Sequence, residues 1–148
     1  NAFFNYSVGG KVINMGRMNA ENMYYPYNQS VAVNWRWRKD GDLTEIPRAL
    51  YNAGYNWLGS DRFVEDGSFL RFKQLTLTYS FDPKLLKRAH LDMLNLSFTM
   101  NNLFTVTKYT GADPEISPAL SGDYVGISAD SNRTPRSRYF TFSLTVGI

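Results

Sequence analysis

The stretch Tyr139–Ile148 alternates without a break. Phe140, Phe142, Leu144, Val146 and Ile148 take the even positions, and Thr141, Ser143, Thr145 and Gly147 take odd ones. A β-strand sends successive side chains to opposite faces, so this strand has one apolar face and one thin, hydroxylated face. Its length suits a tilted strand that crosses a bilayer, for which about 9–11 residues are enough. A soluble protein covers such a greasy face with a second layer, whereas an outer-membrane barrel needs only lipid.

Composition narrows the choice. A chain of 148 residues makes one domain by length. No apolar run reaches the ~18 residues of a membrane-spanning helix, and mean hydropathy is −0.36. Alternation halves the mean hydropathy of a barrel strand, so a membrane β-protein stays open. Aromatics make up 16% of the residues, which suits interfacial girdles and also suits a secreted β-sandwich. Cysteine is absent, which excludes a disulfide scaffold, thiol chemistry and a zinc-thiolate site. The net charge of +3 is dispersed; Arg36, Arg38 and Lys39, and Lys84, Lys87 and Arg88, form clusters too short for nucleic-acid binding.

Four strands are expected, near residues 2–12, 69–81, 93–104 and 139–148. In the third, Leu94, Leu96, Phe98 and Met100 alternate with Asn95, Ser97, Thr99 and Asn101. The second slips: Leu75, Leu77, Tyr79 and Phe81 are odd, yet Leu70 and Phe72 are even. A β-bulge near Lys73-Gln74 would switch faces and keep Arg71 and Lys73 off the apolar side. Strands two and three are joined by a short turn, 82–92, where Pro83–Lys87 predicts one helical turn capped by Asp82. The connections 13–68 and 105–138 are long. Loops of that length argue against a compact soluble domain and fit a barrel with short periplasmic turns and long extracellular loops. Short helices are expected near Glu45–Tyr51 and Ala20–Tyr24, and irregular chain in the second loop, which carries Pro114, Pro118 and Pro135. The start at Asn1 without Met or a leader reads as a cut end.

Few residues suggest chemistry. Glu65-Asp66 are adjacent on a strand and point to opposite faces, so they cannot flank one glycosidic bond. They read instead as a turn into the second strand, with Gly67 supplying backbone freedom. Asp40-Gly41-Asp42 and Asp113-Pro114-Glu115 offer oxygen ligands without an EF-hand spacing and read as loop anchors. His90 stands alone in the expected turn and supports no catalytic triad. No catalytic or metal site and no cofactor is expected. Trp35, Trp37, Tyr55 and Trp57 are the best candidates for contact with a substrate or a lid partner, since aromatic faces stack on sugar rings and anchor interfaces. The competing reading packs them into the long loop's own small core.

Residues Asp61–Tyr79, with Val64-Glu65-Asp66-Gly67-Ser68-Phe69-Leu70-Arg71 at their centre, resemble a stretch near the end of the SusC/RagA family. Asn101–Glu115, Trp37–Asp42 and Pro135–Leu144 are similar to three further stretches of that family. The four fall in the family's order. Family members commonly end on an aromatic; here the last residue is Ile148. The resemblance implies an all-β fold: an antiparallel transmembrane β-barrel segment, about four C-terminal strands of a barrel of about 22, with two long extracellular loops. Residues 1–148 would be that segment, without the N-terminal plug domain. It also implies a TonB-dependent outer-membrane importer of oligosaccharides or peptides in Bacteroidota, not an enzyme. Its implied partners are a SusD-like surface lipoprotein, TonB through the missing N-terminal part, outer-membrane lipid, and glycan or peptide cargo, with no nucleic acid. The alternative from a different class is a soluble, secreted β-sandwich that binds carbohydrate through loop aromatics. It predicts that Phe140, Phe142 and Leu144 pack against a second sheet. Four strands cannot close a barrel, so the segment alone should expose open edges and aggregate.

Overall fold

The computed structural model describes residues 1–55, 58–115, 128–130 and 134–148, with Ser128 described by its backbone alone. They form two compact units: Asn1–Val8, Ser68–Thr107 and Pro135–Ile148 in the first, and Gly9–Gly67 with Lys108–Thr134 in the second. In chain order the strands are β1 (Ala2–Ser7), β2 (Lys11–Asn14), β3 (Val64–Asp66), β4 (Phe69–Ser80), β5 (Met93–Thr107), β6 (Ser128–Asp130) and β7 (Tyr139–Gly147). Two short helices are α1 (Met15–Ala20) and α2 (Pro83–Leu86).

The first unit is an antiparallel meander in the order β1-β4-β5-β7. Its register turns sequence alternation into two chemically opposite faces. Leu75 lies opposite Met100, Leu77 opposite Phe98 and Tyr79 opposite Leu96. Across β5, Met100 meets Phe140, Phe98 meets Phe142, and Leu96 meets Leu144. One face of three strands is therefore apolar in row after row. The rings of Phe98 and Phe142 stack at 4.5 Å, and such pairs add roughly 0.5–1.5 kcal/mol beyond their buried area. The other face carries the rows Thr76–Thr99–Thr141 and Thr78–Ser97–Ser143. There the Thr76 and Thr99 hydroxyls lie 3.3 Å apart, and those of Thr78 and Ser97 3.1 Å. Despite this order, Phe142 is 74% exposed, and Phe140 and Leu144 are exposed with it. That exposure is contrary to the β-sandwich alternative, which requires these residues to be packed.

The slip in β4 falls at the expected place. Between β4 and β5 the register shifts between Phe72 and Gln74, and between β1 and β4 it shifts at Phe3/Phe4. Beyond the shift Phe72 lies opposite both Phe4 and Phe104, stacked on the first at 4.4 Å and edge-on to the second at 5.7 Å. Arg71 lies opposite Asn5 and Thr105, is 5% exposed, and donates from Nε to Thr105 Oγ1 at 2.9 Å. The bulge thus joins the aromatic row to the apolar face and sends Arg71 to the polar one. On β5 the extra residue is Asn102, whose φ of 52° is left-handed and whose Nδ2 donates to the Ser137 carbonyl at 3.0 Å. An Asn102→Val substitution forces a β-branched residue into that region and removes the bond. It is expected to cost about 2 kcal/mol, measured as lowered resistance of the refolded barrel to urea, with Asn102→Gly costing less.

The turn between β4 and β5 is a folded cap. Asp82 Oδ1 accepts from the Lys84 amide at 2.8 Å, Pro83 opens α2, and Leu86 is buried. His90, at φ 56°, reverses the chain after the 3-10 turn Lys87–Ala89.

Three expectations need correction. The first strand does not run through 2–12: it stops at Ser7, and Gly9 at φ 82° turns the chain so that β2 joins a different sheet. The helix expected at Ala20–Tyr24 lies one turn earlier, at Met15–Ala20, because Asn14 caps it by accepting from the Arg17 amide at 2.9 Å. Glu45–Tyr51 forms no helix: the Trp37 amide donates to the Ile46 carbonyl at 2.9 Å, and Ile46 precedes Pro47, which disfavours helical backbone. In addition, β5 extends to Thr107, so the second long connection begins later than position 105.

The second unit has its own sheet, β3-β2-β6, with β2 and β3 antiparallel and β2 and β6 parallel. Ile13, Phe63 and Ala129 form its small core, with Met15 and Met18 packed on it. The long connections are thus not loose chain. The Gly- and Ser-bearing part of the second one, 116–127, lies outside the described residues.

Candidate functional site

The chemistry-bearing groups of the second unit converge around Glu65, at the centre of β3. Its side chain accepts three kinds of hydrogen bond: from the Thr110 amide to Oε2 at 2.8 Å, from the Thr110 hydroxyl at 2.8 Å, and from Asn14 Nδ2 to Oε1 at 3.1 Å. Arg17 Nη1 lies 3.6 Å from Oε1. Burial by itself would raise the carboxyl's pKa. The bonds from Thr110 and Asn14 and the Arg17 charge outweigh it and hold the group below its usual range. Arg17 also donates from Nε to Glu21 Oε1 at 2.7 Å, and Arg62 Nη1 lies 2.9 Å from Glu21 Oε2 without hydrogen-bond alignment. Glu21 is buried, and both guanidiniums lie over the Phe63 ring. Two arginines and two glutamates therefore neutralise one another.

Beside this network is a recess of about 340 Å³ lined by Asn14, Arg17, Ala20, Ser30, Thr110 and Gly111 among others. Behind Thr110, the buried Tyr109 hydroxyl donates to Asp130 Oδ2 at 2.8 Å. Burial first, and that bond second, push the Tyr109 phenol well above its ordinary range. Gly67 does not serve backbone freedom as expected, since its φ is not left-handed. Its amide donates to the Gly10 carbonyl at 2.8 Å, and an added Cβ would sit 2.5 Å from Val12 Cγ2. The need is for close approach.

The four aromatic candidates from sequence do not form one cluster in the described residues. Trp35 is exposed at the end of the 3-10 turn Val31–Trp35. Trp37 is half-buried under the Arg48 guanidinium, 5.5 Å from its ring centre. Tyr55 is exposed, and Trp57 lies outside the described residues. Of the suspected cation ligands, Asp42 Oδ2 accepts from the Arg38 and Lys39 amides, and Asp113 Oδ1 accepts from the Glu115 amide. Both are turn anchors, and no grouping of three or more metal-ligating side chains occurs among the described residues. Sequence reasoning missed Tyr24, Tyr25 and Tyr27. Their rings pair successively at 4.7 Å and 5.5 Å; the signal was their near-adjacency in one uncharged stretch.

No protein-family model matches the chain. Among curated proteins it is 28% identical over 149 residues to TonB-dependent receptor P3 of Formosa agariphila, across 99% of this chain. It is 31% identical over 99 residues to TonB-dependent receptor SusC of Bacteroides thetaiotaomicron, across 66% of this chain and 9% of that protein. The chain spans about 14% of the length of the Formosa receptors it matches. Its fold superposes on the RagAB peptide importer in the open-open state with a TM-score of 0.75 and 27% identity, covering 99% of this chain and 15% of that one. The closed-closed state gives a TM-score of 0.73.

The chain matches a barrel segment of TonB-dependent receptors, consistent with the SusC/RagA family. The first unit is accordingly a piece of transmembrane β-barrel wall, with its sheet open because other strands complete it. The relatives are receptors and transporters rather than enzymes. Two of the resembling stretches meet physically: Glu65 of the first receives both donors of Thr110 from the second. No helix among the described residues is long and apolar enough to cross a membrane, which says nothing of a β-barrel.

Proposed function

We propose that this segment is wall and outer rim of a TonB-dependent outer-membrane importer for oligosaccharides or peptides. The observation that carries the reading is the two-faced sheet: register-aligned apolar rows through Phe98 and Phe142 on one side and hydroxyl rows through Thr99 and Thr141 on the other. The apolar face meets lipid and the hydroxylated face lines the lumen. The cap at 82–92 sits on the periplasmic side. The second unit sits on the extracellular side, where a SusD-like lipoprotein closes over the mouth. TonB acts through parts of the polypeptide outside this segment. Trp35, Trp37, Tyr55 and Trp57 contact cargo or lid in this arrangement.

The test is uptake of fluorescently labelled oligosaccharide and peptide pools by cells that carry or lack the gene for the whole polypeptide. Loss of energy-dependent uptake on deletion, abolished equally by a protonophore, is the expected result. Unchanged accumulation of every pool contradicts the reading.

A further inference from the structure

Residues 20–30 form a loop with a fastened stem. The Ser30 amide donates to the Ala20 carbonyl at 2.7 Å, and Gln29 Nε2 donates to the Asn22 carbonyl at 3.1 Å. The backbone beneath the rings is held as well: Asn22 Oδ1 accepts from the Tyr24 amide at 2.9 Å, and the Asn52 amide donates to the Tyr24 carbonyl at 2.9 Å. On this frame the Tyr24 and Tyr25 rings meet edge to face at 82°, and the Tyr25 and Tyr27 rings incline at 31°. Tyr25 is exposed and Tyr27 is 74% exposed. Exposed aromatic rings grouped in one patch mark an interaction site.

The surroundings define what that is. From Asn22 to Trp35 the sequence contains no Asp, Glu, Lys, Arg or His. The polar groups interleaved with the tyrosines are the amides of Asn22, Asn28, Gln29 and Asn34 and the hydroxyl of Ser30. Glu21, next to this stretch, is buried against Arg17 and Arg62. We propose that Tyr24, Tyr25 and Tyr27 form a stacking platform for the sugar rings of an uncharged oligosaccharide; this rests on the importer reading and names the cargo class it would favour. The C–H faces of a pyranose carry slight positive charge and lie against the negative face of an aromatic ring, while amides exchange hydrogen bonds with ring hydroxyls. A uronate or sulfate would be repelled by the ring faces and would meet no cation in this loop; in the adjoining recess it would meet Arg17, whose charge Glu21 and Glu65 already balance. Strand addition, one mode of peptide binding, needs an open strand edge, and this loop contains no strand; a peptide docked on the rings alone is an outcome the test reads directly. Ala20 and Ser30 of the stem also line the recess. Ser30 is three residues from Tyr27, a reach of at most about 11 Å, so a glycan of a few units spans rings and recess.

The test uses the whole polypeptide in detergent, probed on an array of neutral, uronic-acid and sulfated oligosaccharides and on a peptide array. Neutral glycans are expected to bind. For the strongest of them, titration calorimetry should show a loss of about tenfold or more in the Tyr25→Ala/Tyr27→Ala double variant. Tyr27→Phe should stay within about twofold, since it keeps the ring face. Unaltered heat-modifiable mobility on gels shows that the variants have folded. Binding confined to charged glycans or to peptides, no glycan binding, or equal affinity in the double variant overturns the platform. Energised uptake that survives such a result leaves the importer reading standing, whereas absence of any gene-dependent uptake overturns that reading instead.

Discussion

Replacing Phe98 with arginine is expected to destabilise the barrel wall by about 2–4 kcal/mol, because the change places a cation on the lipid face within the apolar band. Phe98 lies between Leu77 and Phe142 in the register, with Leu75–Met100–Phe140 on one side of that row and Tyr79–Leu96–Leu144 on the other. The loss of the 4.5 Å ring stack with Phe142 adds to the cost. The measurement is reversible urea unfolding of the whole barrel in liposomes. The control is one residue away: Ser97 is on the opposite face, paired with Thr78 and Ser143. Ser97→Arg should cost less than about 1 kcal/mol, since charge on a wet lumen face keeps its hydration. Equal costs at both positions would deny the two-faced assignment.

The second large effect is expected at Glu65. In Glu65→Ala the Thr110 amide and hydroxyl and the Asn14 amide lose their acceptor together, and Arg17 loses one of its two carboxylates. Hydrogen bonds to a charged group contribute about 1.5–3 kcal/mol, and stranded donors add a penalty. We expect the local opening free energy of the second unit to fall by roughly 3 kcal/mol, read as faster hydrogen exchange at the Thr110 amide, with exchange in β5 unaffected. The pH dependence has a definite sign. The folded carboxyl titrates below its ordinary 4.5. Its contribution is therefore complete above that value and disappears as pH falls through the lower folded value. Thr110 protection should hold from neutrality through the ordinary carboxylate range and drop only below it. Protection that declines between neutral pH and that range would contradict the assignment.

What was legible in the sequence follows from how local each feature is. The alternation of Leu94–Asn101 and Phe140–Gly147 is written in consecutive residues, so β5 and β7 were readable directly. The parity slip at Lys73 likewise exposed the bulge, although the left-handed Asn102 that accommodates it on the neighbouring strand was not foreseen. The folding of the long connections was not readable. Val12, Ile13 and Asn14 are all buried and show no alternation, and β2 finds its parallel partner β6 more than a hundred residues away. Six-residue α1 is too short to show a helical period, and Asn14 as its cap was the one usable sign. At the candidate site, side-chain size drew attention to the tryptophans, whereas the structure supports a row of tyrosines because two asparagines hold the backbone beneath them.

The face of β7 that touches lipid sets the orientation of the whole sheet. The chain has no cysteine, so single cysteines placed in turn at 140–146 can carry nitroxide labels in the reconstituted barrel. Collisions with oxygen, concentrated in hydrocarbon, and with a water-soluble nickel chelate report each label's surroundings. High oxygen access at positions 140, 142, 144 and 146, alternating with high nickel access at 141, 143 and 145, is the predicted profile. A profile without a period of two, or one with the phases exchanged, would contradict it.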